Sequence, residues 1–136
     1  DLKSNRNVKI TLEPGAAHVL NGGYIVSTVL DIIEQGEHKI AIMDASASTH
    51  MPDVLEVPYT PEIIGAHIKE TNSIGEKTYI LGGNTCMTGD VIGTYEFDVP
   101  LKIGQKLIFT DMMQYANVKN TTFKKIYKYS ATCWQI

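Results

Sequence analysis

The segment with the most distinctive chemistry is residues 82–90, which read Gly-Gly-Asn-Thr-Cys-Met-Thr-Gly-Asp. Glycines at both ends let the backbone approach other groups closely, and the segment presents one thiol, Cys86, and one carboxylate, Asp90. A thiol so placed could be a proton donor or a nucleophile, whereas a free cysteine is more often a small, buried apolar residue. Residue types alone leave both interpretations of Cys86 open. A phosphate-binding P-loop is excluded here, because the lysine followed by serine or threonine that it requires is absent.

Other side chains could also do chemistry, but their spacing is less specific. Glu13 precedes a Pro-Gly pair at the end of a predicted strand, where a carboxylate can face a site, although a solvated turn acid is the commoner case. The four histidines lack the spacing of a preformed metal site, and His50 with Asp53 makes only a weak pair, so we predict no metal centre. Lysines alternate with aromatic residues over 119–129, as in a single-strand nucleic-acid platform, yet lysines that protect an edge strand explain this pattern better.

The composition is that of one folded domain. The chain has 136 residues, of which 43% are hydrophobic and 20% charged, and its 12 basic and 15 acidic side chains give a formal charge of -3. That charge supplies no long-range positive field for nucleic acid or anionic lipid, and no apolar run approaches the roughly 20 residues that cross a bilayer. Two cysteines are too few for a disulfide framework; a single bridge stays open, but we expect free thiols and a cytoplasmic location. The amino terminus has no initiator methionine and no secretory signal, so we interpret Asp1 as an internal residue of a longer protein.

The elements that must position these side chains are mostly strands. Apolar residues recur at every second position and are rich in Ile, Val, Tyr and Phe, which predicts a mainly β fold. We predict strands over residues 8–12, 23–33, 39–43, 62–70, 78–81, 91–97 and 106–109, with a tight turn at 35–37. Residues 45–60 hold two prolines and many small residues, which indicates an ordered loop with one helical turn. Short strands at this spacing favour a β-sandwich or barrel with little helix.

Four segments, taken together in order and spacing, resemble those of one enzyme family. They are residues 12–15, 42–53, 82–90 and 111–123. In these segments the chain is similar to the carboxynorspermidine decarboxylases, which belong to the pyridoxal-phosphate decarboxylases with an alanine-racemase-like fold, alongside the diaminopimelate and ornithine enzymes. The resemblance covers about residues 8–123. It implies that residues 1–16 are the last strand of an otherwise absent βα barrel and that residues 17–136 form the carboxyl-terminal β-sandwich or barrel domain of a fold-type III decarboxylase.

The resemblance also implies roles for individual side chains. Glu13 matches the acid that hydrogen-bonds the pyridine nitrogen of pyridoxal 5'-phosphate and keeps it protonated. Tyr115 matches the tyrosine whose hydroxyl contacts the cofactor phosphate, and a core tyrosine is the alternative. Cys86 matches the cysteine that enters the active site of the other subunit and protonates the substrate carbon after carbon dioxide has left. On this interpretation a homodimer with shared active sites is required for activity.

Further matches concern the substrate. Asp44 matches an acid that in relatives lies by the distal amine of the substrate, and a carboxylated polyamine has cationic amines to bind. His50 and Asp53 are weaker candidates for lining the same channel, and either could equally be a structural loop residue. For Asp90, holding the loop and meeting a basic partner across the dimer interface are equally open.

Departures from the family pattern narrow the choice of substrate. Met87 stands where the ornithine enzymes have an acid and the diaminopimelate enzymes a glutamate, which favours carboxynorspermidine or carboxyspermidine. The sequence after Phe123 does not match, and no lysine here lies in the motif of the Schiff-base lysine, so the resemblance implies that the chain does not decarboxylate alone. The expected function is therefore part of a cytoplasmic, homodimeric carboxy-lyase of polyamine biosynthesis, with no nucleic-acid or membrane partner. The alternatives are a non-catalytic β-domain for binding or dimerisation, or a relative of the diaminopimelate and ornithine decarboxylases.

Overall fold

Seven β-strands form one curled sheet in the computed structural model, which describes residues 9–57, 59–119 and 132–134. The strands are β1 (Tyr24–Gln35), β2 (His38–Met43), β3 (Ala66–Lys69), β4 (Thr78–Gly82), β5 (Val91–Phe97), β6 (Lys106–Phe109) and β7 (Thr132–Trp134). The helices in these ranges are α1 (Ala47–His50), α2 (Asp53–Glu56) and α3 (Tyr115–Val118), with a 3-10 turn at Ala16–His18. The expectation of a mainly β fold with little helix is confirmed.

Strand β1 is long enough to belong to both halves of the sheet. Ile25, Ser27 and Val29 face the interior in its first half, as the alternation of residue types predicts. That half pairs antiparallel with β6 and β7, and the second half pairs antiparallel with β2. The turn into β2 contains Gly36, whose φ of +63° lies in the region that favours glycine. Because one strand serves two sets of neighbours, the sheet must curl around it.

The curl brings the two ends of the sheet together. The strand order is β3-β5-β4-β2-β1-β6, with β2 and β4 parallel and the other pairs antiparallel. Residues 62–64 run beside β6: the Ile64 N–H donates to the Ile108 carbonyl at 3.0 Å, and the Thr110 N–H donates to the Glu62 carbonyl at 3.0 Å. The same segment continues into β3 at the other end of the sheet. The sheet therefore closes as a barrel, which is one of the two architectures that the strand spacing predicts.

The barrel interior contains the apolar core. Tyr95 and Phe109 are fully buried, and Tyr79 packs edge-on against Phe97 with the ring centroids 6.0 Å apart. The Tyr95 hydroxyl donates to the carbonyl of the buried Pro61 at 2.7 Å, so both polar groups are satisfied inside the core. Burial raises the pKa of Tyr95 above its usual range, because the ionised phenolate would be poorly solvated there.

Replacing Tyr95 with phenylalanine is expected to lower the free energy of unfolding by about 1–2 kcal/mol, because the Pro61 carbonyl loses its donor. The raised pKa adds a pH dependence. The folded chain keeps this phenol protonated where the unfolded chain ionises it, so stability should fall as pH rises above about 10, and fall less in Tyr95→Phe. Urea denaturation of both chains at neutral and alkaline pH measures both effects, and equal midpoints at neutral pH would contradict the first.

The strand predictions hold best where burial alternates and fail at two places. Strands β5 and β6 have the predicted bounds, and β1, β2 and β4 lie within two residues of theirs. The strand predicted over 62–70 is divided at Gly65, whose φ of +77° turns the chain from β6 towards β5. The strand predicted over 8–12 is not formed: residues 9–12 lie outside every described strand, and alternation without a neighbouring strand to bond with makes no ladder.

The predicted loop over 45–60 contains two helical turns, α1 and α2, where one is predicted. Prolines and small residues without a helical period do not reveal turns of four residues. Residues 120–131 lie outside the described ranges. They include most of the stretch of lysines and aromatic residues at 119–129 and most of the tail after Phe123. None of the helices that the structure describes is long and apolar enough to cross a membrane.

Candidate functional site

The loop between β4 and β5 presents Cys86 at the surface. Its two ends are joined at the base, where the Gly83 N–H donates to the Asp90 carbonyl at 2.8 Å and the Asp90 N–H donates to the Met87 carbonyl at 3.1 Å. Cys86 and Met87, at the tip, are both exposed. Of the two interpretations of Cys86, that of a small, buried apolar residue is therefore wrong, because the side chain is accessible from outside the chain.

Asp90 holds this loop against the start of α1. Its side chain is only 5% exposed, and its carboxylate accepts hydrogen bonds from the hydroxyls of Ser46 and Thr85 and from the backbone N–H of Ser48. The Ser46 Oγ lies 2.9 Å and 2.8 Å from the two carboxylate oxygens. A Cβ at position 83 would overlap the same carboxylate, which explains the glycine there. Of the two roles left open for Asp90, these contacts support holding the loop.

Asp44 and His50 lie within hydrogen-bond networks of their own chain. The Asp44 Oδ1 accepts from the Ser27 hydroxyl at 2.6 Å and from the Thr28 N–H at 2.7 Å, which joins the end of β2 to the middle of β1. His50 is 3% exposed, and its Nδ1 accepts from the Ser46 N–H at 3.0 Å. Both side chains therefore stabilise local structure, and their predicted contact with substrate stays a prediction.

Two other predicted site residues, Asp53 and Tyr115, come together in one cavity. It has a volume of about 350 Å³ and lies between α2 and α3, at the end of the barrel where β6 finishes. Its lining residues are Asp53, Val57, Tyr59, Asp111, Gln114 and Tyr115. Among the residues that the structure describes, the walls thus combine two carboxylates and two phenol rings with no basic side chain, a composition that suits a cationic group.

Asp53 carries the least compensated charge in this cavity. Its side chain is nine-tenths buried, and its Oδ2 accepts a hydrogen bond from the Tyr59 hydroxyl at 3.1 Å. Its Oδ1 has no hydrogen-bond donor among the residues that the structure describes. Burial, and then the nearby Asp53 charge, raise the pKa of Tyr59, so this phenol stays protonated and remains a donor.

Asp111 forms the opposite acidic wall and is held in an unusual backbone conformation. Its φ of +57° is rare for a residue other than glycine. One carboxylate oxygen accepts from the Asn21 N–H at 2.7 Å, and the other accepts from the Gln114 amide at 3.3 Å. These bonds fix the carboxylate while leaving it part of the cavity wall.

Lys119, a described cation beside the Tyr115 wall of the cavity, is already paired. Lys119 donates a hydrogen bond to Glu56, which raises the pKa of Lys119, and its ammonium lies 5.1 Å from the centroid of the Tyr115 ring. These contacts join α2 to α3 across the rim. The Lys119 charge is thereby offset mainly by Glu56.

Two smaller cavities share walls with this one and extend it into a groove. One, of about 280 Å³, shares Tyr59 and Asp111 and includes Glu62, and the other, of about 270 Å³, shares Tyr115 and reaches the 3-10 turn. Glu13 lies two residues before Gly15, which lines the latter cavity, and is itself exposed. The groove therefore brings Asp53 and Tyr115 together with the Glu13 segment nearby.

Four predicted site residues, Glu13, Cys86, Asp44 and His50, do not line these cavities. Sequence reasoning missed two lining residues, Tyr59 and Asp111. Asp111 begins one of the family-like segments, which was a usable signal, but nothing in the sequence around Tyr59 points to its contact with Asp53. In the described ranges no three His, Cys, Asp or Glu side chains are grouped to hold a metal ion.

Comparison with known proteins agrees with this fold. The family model described as the pyridoxal-dependent decarboxylase C-terminal sheet domain matches residues 19–113. The chain is 44% identical over 127 residues to a carboxyaminopropylagmatine decarboxylase of Synechocystis sp., covering 93% of this chain and 32% of that protein. It is 47% identical over 127 residues to a carboxynorspermidine/carboxyspermidine decarboxylase of Campylobacter jejuni, covering 88% and 33%. The chain thus spans about a third of the length of the curated relatives that it matches.

Solved structures give the same result. The carboxynorspermidine decarboxylase of Campylobacter jejuni complexed with norspermidine superposes with a TM-score of 0.75 at 40% identity, covering 90% of this chain and 37% of that one. A lysine decarboxylase from Selenomonas ruminantium superposes with a TM-score of 0.60 at 27% identity, covering 76% and 27%. The resemblance inferred from four motifs is confirmed: this chain belongs to the pyridoxal-dependent decarboxylase family, as its C-terminal sheet domain.

Proposed function

We propose that this chain is the carboxyl-terminal part of a pyridoxal-phosphate-dependent carboxy-lyase that decarboxylates carboxynorspermidine or carboxyspermidine in polyamine biosynthesis. Residues 1–16 would then complete the barrel that contains the Schiff-base lysine, and residues 17–136 would form the β domain. The relatives support this proposal, because the Campylobacter jejuni protein is named for both substrates. The Synechocystis protein is named for carboxyaminopropylagmatine, another carboxylated polycation.

The observation that carries the proposal is the composition of the Asp53 cavity. A polyamine has several ammonium groups, which bind to carboxylates and to the faces of aromatic rings. The cavity offers Asp53 and Asp111 as carboxylates and Tyr59 and Tyr115 as rings, and none of its described lining residues is basic. The predicted substrate role of Asp53 is the one that this geometry supports most directly.

The exposed polar groups of the chain fit the cofactor. Pyridoxal phosphate, when bound, supplies an electron sink for the charge left on carbon when carbon dioxide departs. Glu13 is exposed and offers a carboxylate that can accept a hydrogen bond from a protonated pyridine nitrogen. Tyr115 is 58% exposed and offers a hydroxyl that can donate to a phosphate oxygen. These are the kinds of group that hold such a cofactor, and both are free of the core.

Cys86 would act on the substrate rather than on the cofactor. Its side chain is exposed at the tip of the 83–90 loop and is not among the residues that line the groove. In the proposed homodimer the Sγ proton is donated to the substrate carbon, in the active site of the partner subunit, after carbon dioxide has left. Each active site would then combine Glu13 and Tyr115 of one subunit with Cys86 of the other.

Substrate preference tests the proposal. We expect the longer enzyme that contains this segment to convert carboxynorspermidine and carboxyspermidine to their polyamines with a kcat/KM about tenfold or more above that for ornithine or diaminopimelate, because Met87 replaces the acidic residue of those enzymes. Amine formation measured by chromatography gives the four values. Preference for ornithine or diaminopimelate would contradict the substrate assignment, and a cofactor-loaded enzyme that converts none of the four would contradict the activity.

A further inference from the structure

We infer that Asp90 is a positioning residue for Cys86, acting through the hydroxyl of Thr85. The inference rests on the proposed proton-donor role of Cys86 and extends it to the contacts that aim the thiol. Thr85 precedes Cys86, and its hydroxyl makes two bonds: it donates to the Asp90 carboxylate and accepts from the Met87 N–H at 3.3 Å. The residues on both sides of Cys86 are therefore tied to one hydroxyl, and Asp90 orients that hydroxyl.

Hydrogen bonds, rather than packing, determine the shape of this loop. Residues 84–89 are exposed or half-buried, and none of them contributes a side chain to the apolar core. At the loop ends, Gly89 has a φ of +89°, and Gly83 leaves room only for the Asp90 carboxylate. The polar contacts of Asp90 and Thr85 therefore restrain the backbone on both sides of the thiol, where the described loop side chains add no core packing.

The second half of this arrangement fixes the loop to the rest of the barrel. Asp90 also accepts from Ser46 and Ser48, at the start of α1. Strands β2 and β4 are parallel neighbours, so the connection after β2 and the loop after β4 leave the same edge of the sheet. Asp90 bridges these two connections, and the Cys86 loop is held relative to the end of β2 rather than only to its own strands.

The donors to Asp90 come from its own chain and are uncharged. They are three hydroxyl or backbone groups, and in the described part of the chain no Lys, Arg or His forms an ion pair with it. A carboxylate that is 5% exposed and accepts this many bonds is satisfied by donors of its own chain. These intrachain contacts are the reason for assigning Asp90 to positioning.

The test uses four variants of the cofactor-loaded, longer enzyme. Thr85→Val removes the hydroxyl but keeps the shape, Asp90→Asn removes the charge, Thr85→Ser restores a hydroxyl, and Thr88→Val is the matched control in the same loop. Thr85→Val and Asp90→Asn should lower kcat about tenfold or more, with KM within about twofold of wild type, since displacing a catalytic group costs rate rather than affinity. Thr85→Ser and Thr88→Val should keep the wild-type kcat.

A second readout does not depend on turnover. Hydrogen–deuterium exchange of the peptide that spans residues 83–90 should speed up in Thr85→Val and Asp90→Asn, and should not change in Thr88→Val. If Asp90→Asn does not fold, Thr85→Val carries the test by itself. Unchanged exchange in Thr85→Val would overturn the inference even if the enzyme proves to act on another substrate, so its failure is distinguishable from failure of the proposed function.

A double-variant comparison shows whether the effect passes through the thiol. In a Cys86→Ala enzyme, adding Thr85→Val should lower the remaining kcat by less than about twofold, because there is no thiol left to position. A full, undiminished loss in the Cys86→Ala background would mean that Thr85 and Asp90 support something other than Cys86. That result would overturn the inference.

Discussion

Replacing Cys86 with alanine in the longer enzyme is expected to lower kcat by about 10²- to 10⁴-fold, the range typical for loss of a positioned proton donor. The Cys86 side chain is exposed and contributes nothing to the core, so the substitution should remove the proton donor without opening a cavity. Cofactor absorbance and the thermal midpoint should stay at the wild-type values. Steady-state kinetics and an absorbance spectrum measure both, with Thr88→Ala as the control in the same loop.

Mixing two inactive variants tests whether the thiol serves the neighbouring subunit. One carries Cys86→Ala and the other Glu13→Ala, and each alone should be nearly inactive. If the proposed homodimer forms, subunit exchange at equal amounts makes half of the dimers mixed, and each mixed dimer has one site with both residues intact, so activity should recover to about a quarter of wild type. No recovery, with exchange verified by mass spectrometry, would show that Cys86 and Glu13 act within one subunit. A wild-type rate in Cys86→Ala alone would remove the thiol from the mechanism altogether.

The sequence predicts the strands well where a strand buries alternate residues. Strand β6 alternates throughout and β5 alternates from Val91 to Thr94, and the predicted and observed bounds of both strands agree. The single strand predicted over 62–70 shows the limit of this reasoning. Its apolar pattern runs on past Gly65, but the left-handed backbone of that glycine sends the two halves to different neighbours. Alternation indicates which residues can be in a strand, and closure of the barrel decides with which strand they pair.

The residues of the site also differ in how far the sequence could identify them. Cys86, Asp53 and Tyr115 could be selected in advance because each lies in a segment whose order and spacing resemble one family. The contacts of Asp90 could not, because Ser46 meets it only when β2 and β4 become parallel neighbours. The left-handed backbone of Asp111 likewise has no signature in residue types. Motifs identify reactive groups, whereas the polar contacts that aim them come from tertiary structure.

The strand topology explains why residues that are far apart in the sequence line the same groove. Asp53 follows β2 by way of α1, and Asp111 and Tyr115 follow β6. Strand β1 pairs with both β2 and β6, so the segments that follow those two strands leave the sheet on either side of it. The ion pair of Glu56 with Lys119 then fastens α2 to α3 without placing a cation in the cavity. Strand β1 thus brings the lining residues together. Lys119 forms its ion pair with Glu56, outside the cavity lining, whereas Asp53 and Asp111 contribute carboxylates to that lining.

Replacing Asp53 with asparagine should lower kcat/KM for carboxynorspermidine by about a hundredfold, mainly through a higher KM, because loss of one partner of a buried charge pair costs about 2–5 kcal/mol. Asparagine keeps the shape and still accepts from the Tyr59 hydroxyl, so the change isolates the charge. Tyr59→Phe, which keeps the ring and the carboxylate, should change KM only a few-fold. Both are read from steady-state kinetics of the longer enzyme.

A shortened substrate separates binding of the ammonium from a general effect on the site. A carboxylated diamine that lacks the distal amine should react poorly with wild type and equally poorly with Asp53→Asn, because it has no ammonium to place against this carboxylate. Comparing the two enzymes with the two substrates gives the interaction energy between the Asp53 carboxylate and the distal ammonium. Equal KM values of wild type and Asp53→Asn for the full polyamine would exclude Asp53 from substrate binding. The buried carboxylate would then serve only to hold Tyr59 and α2 together.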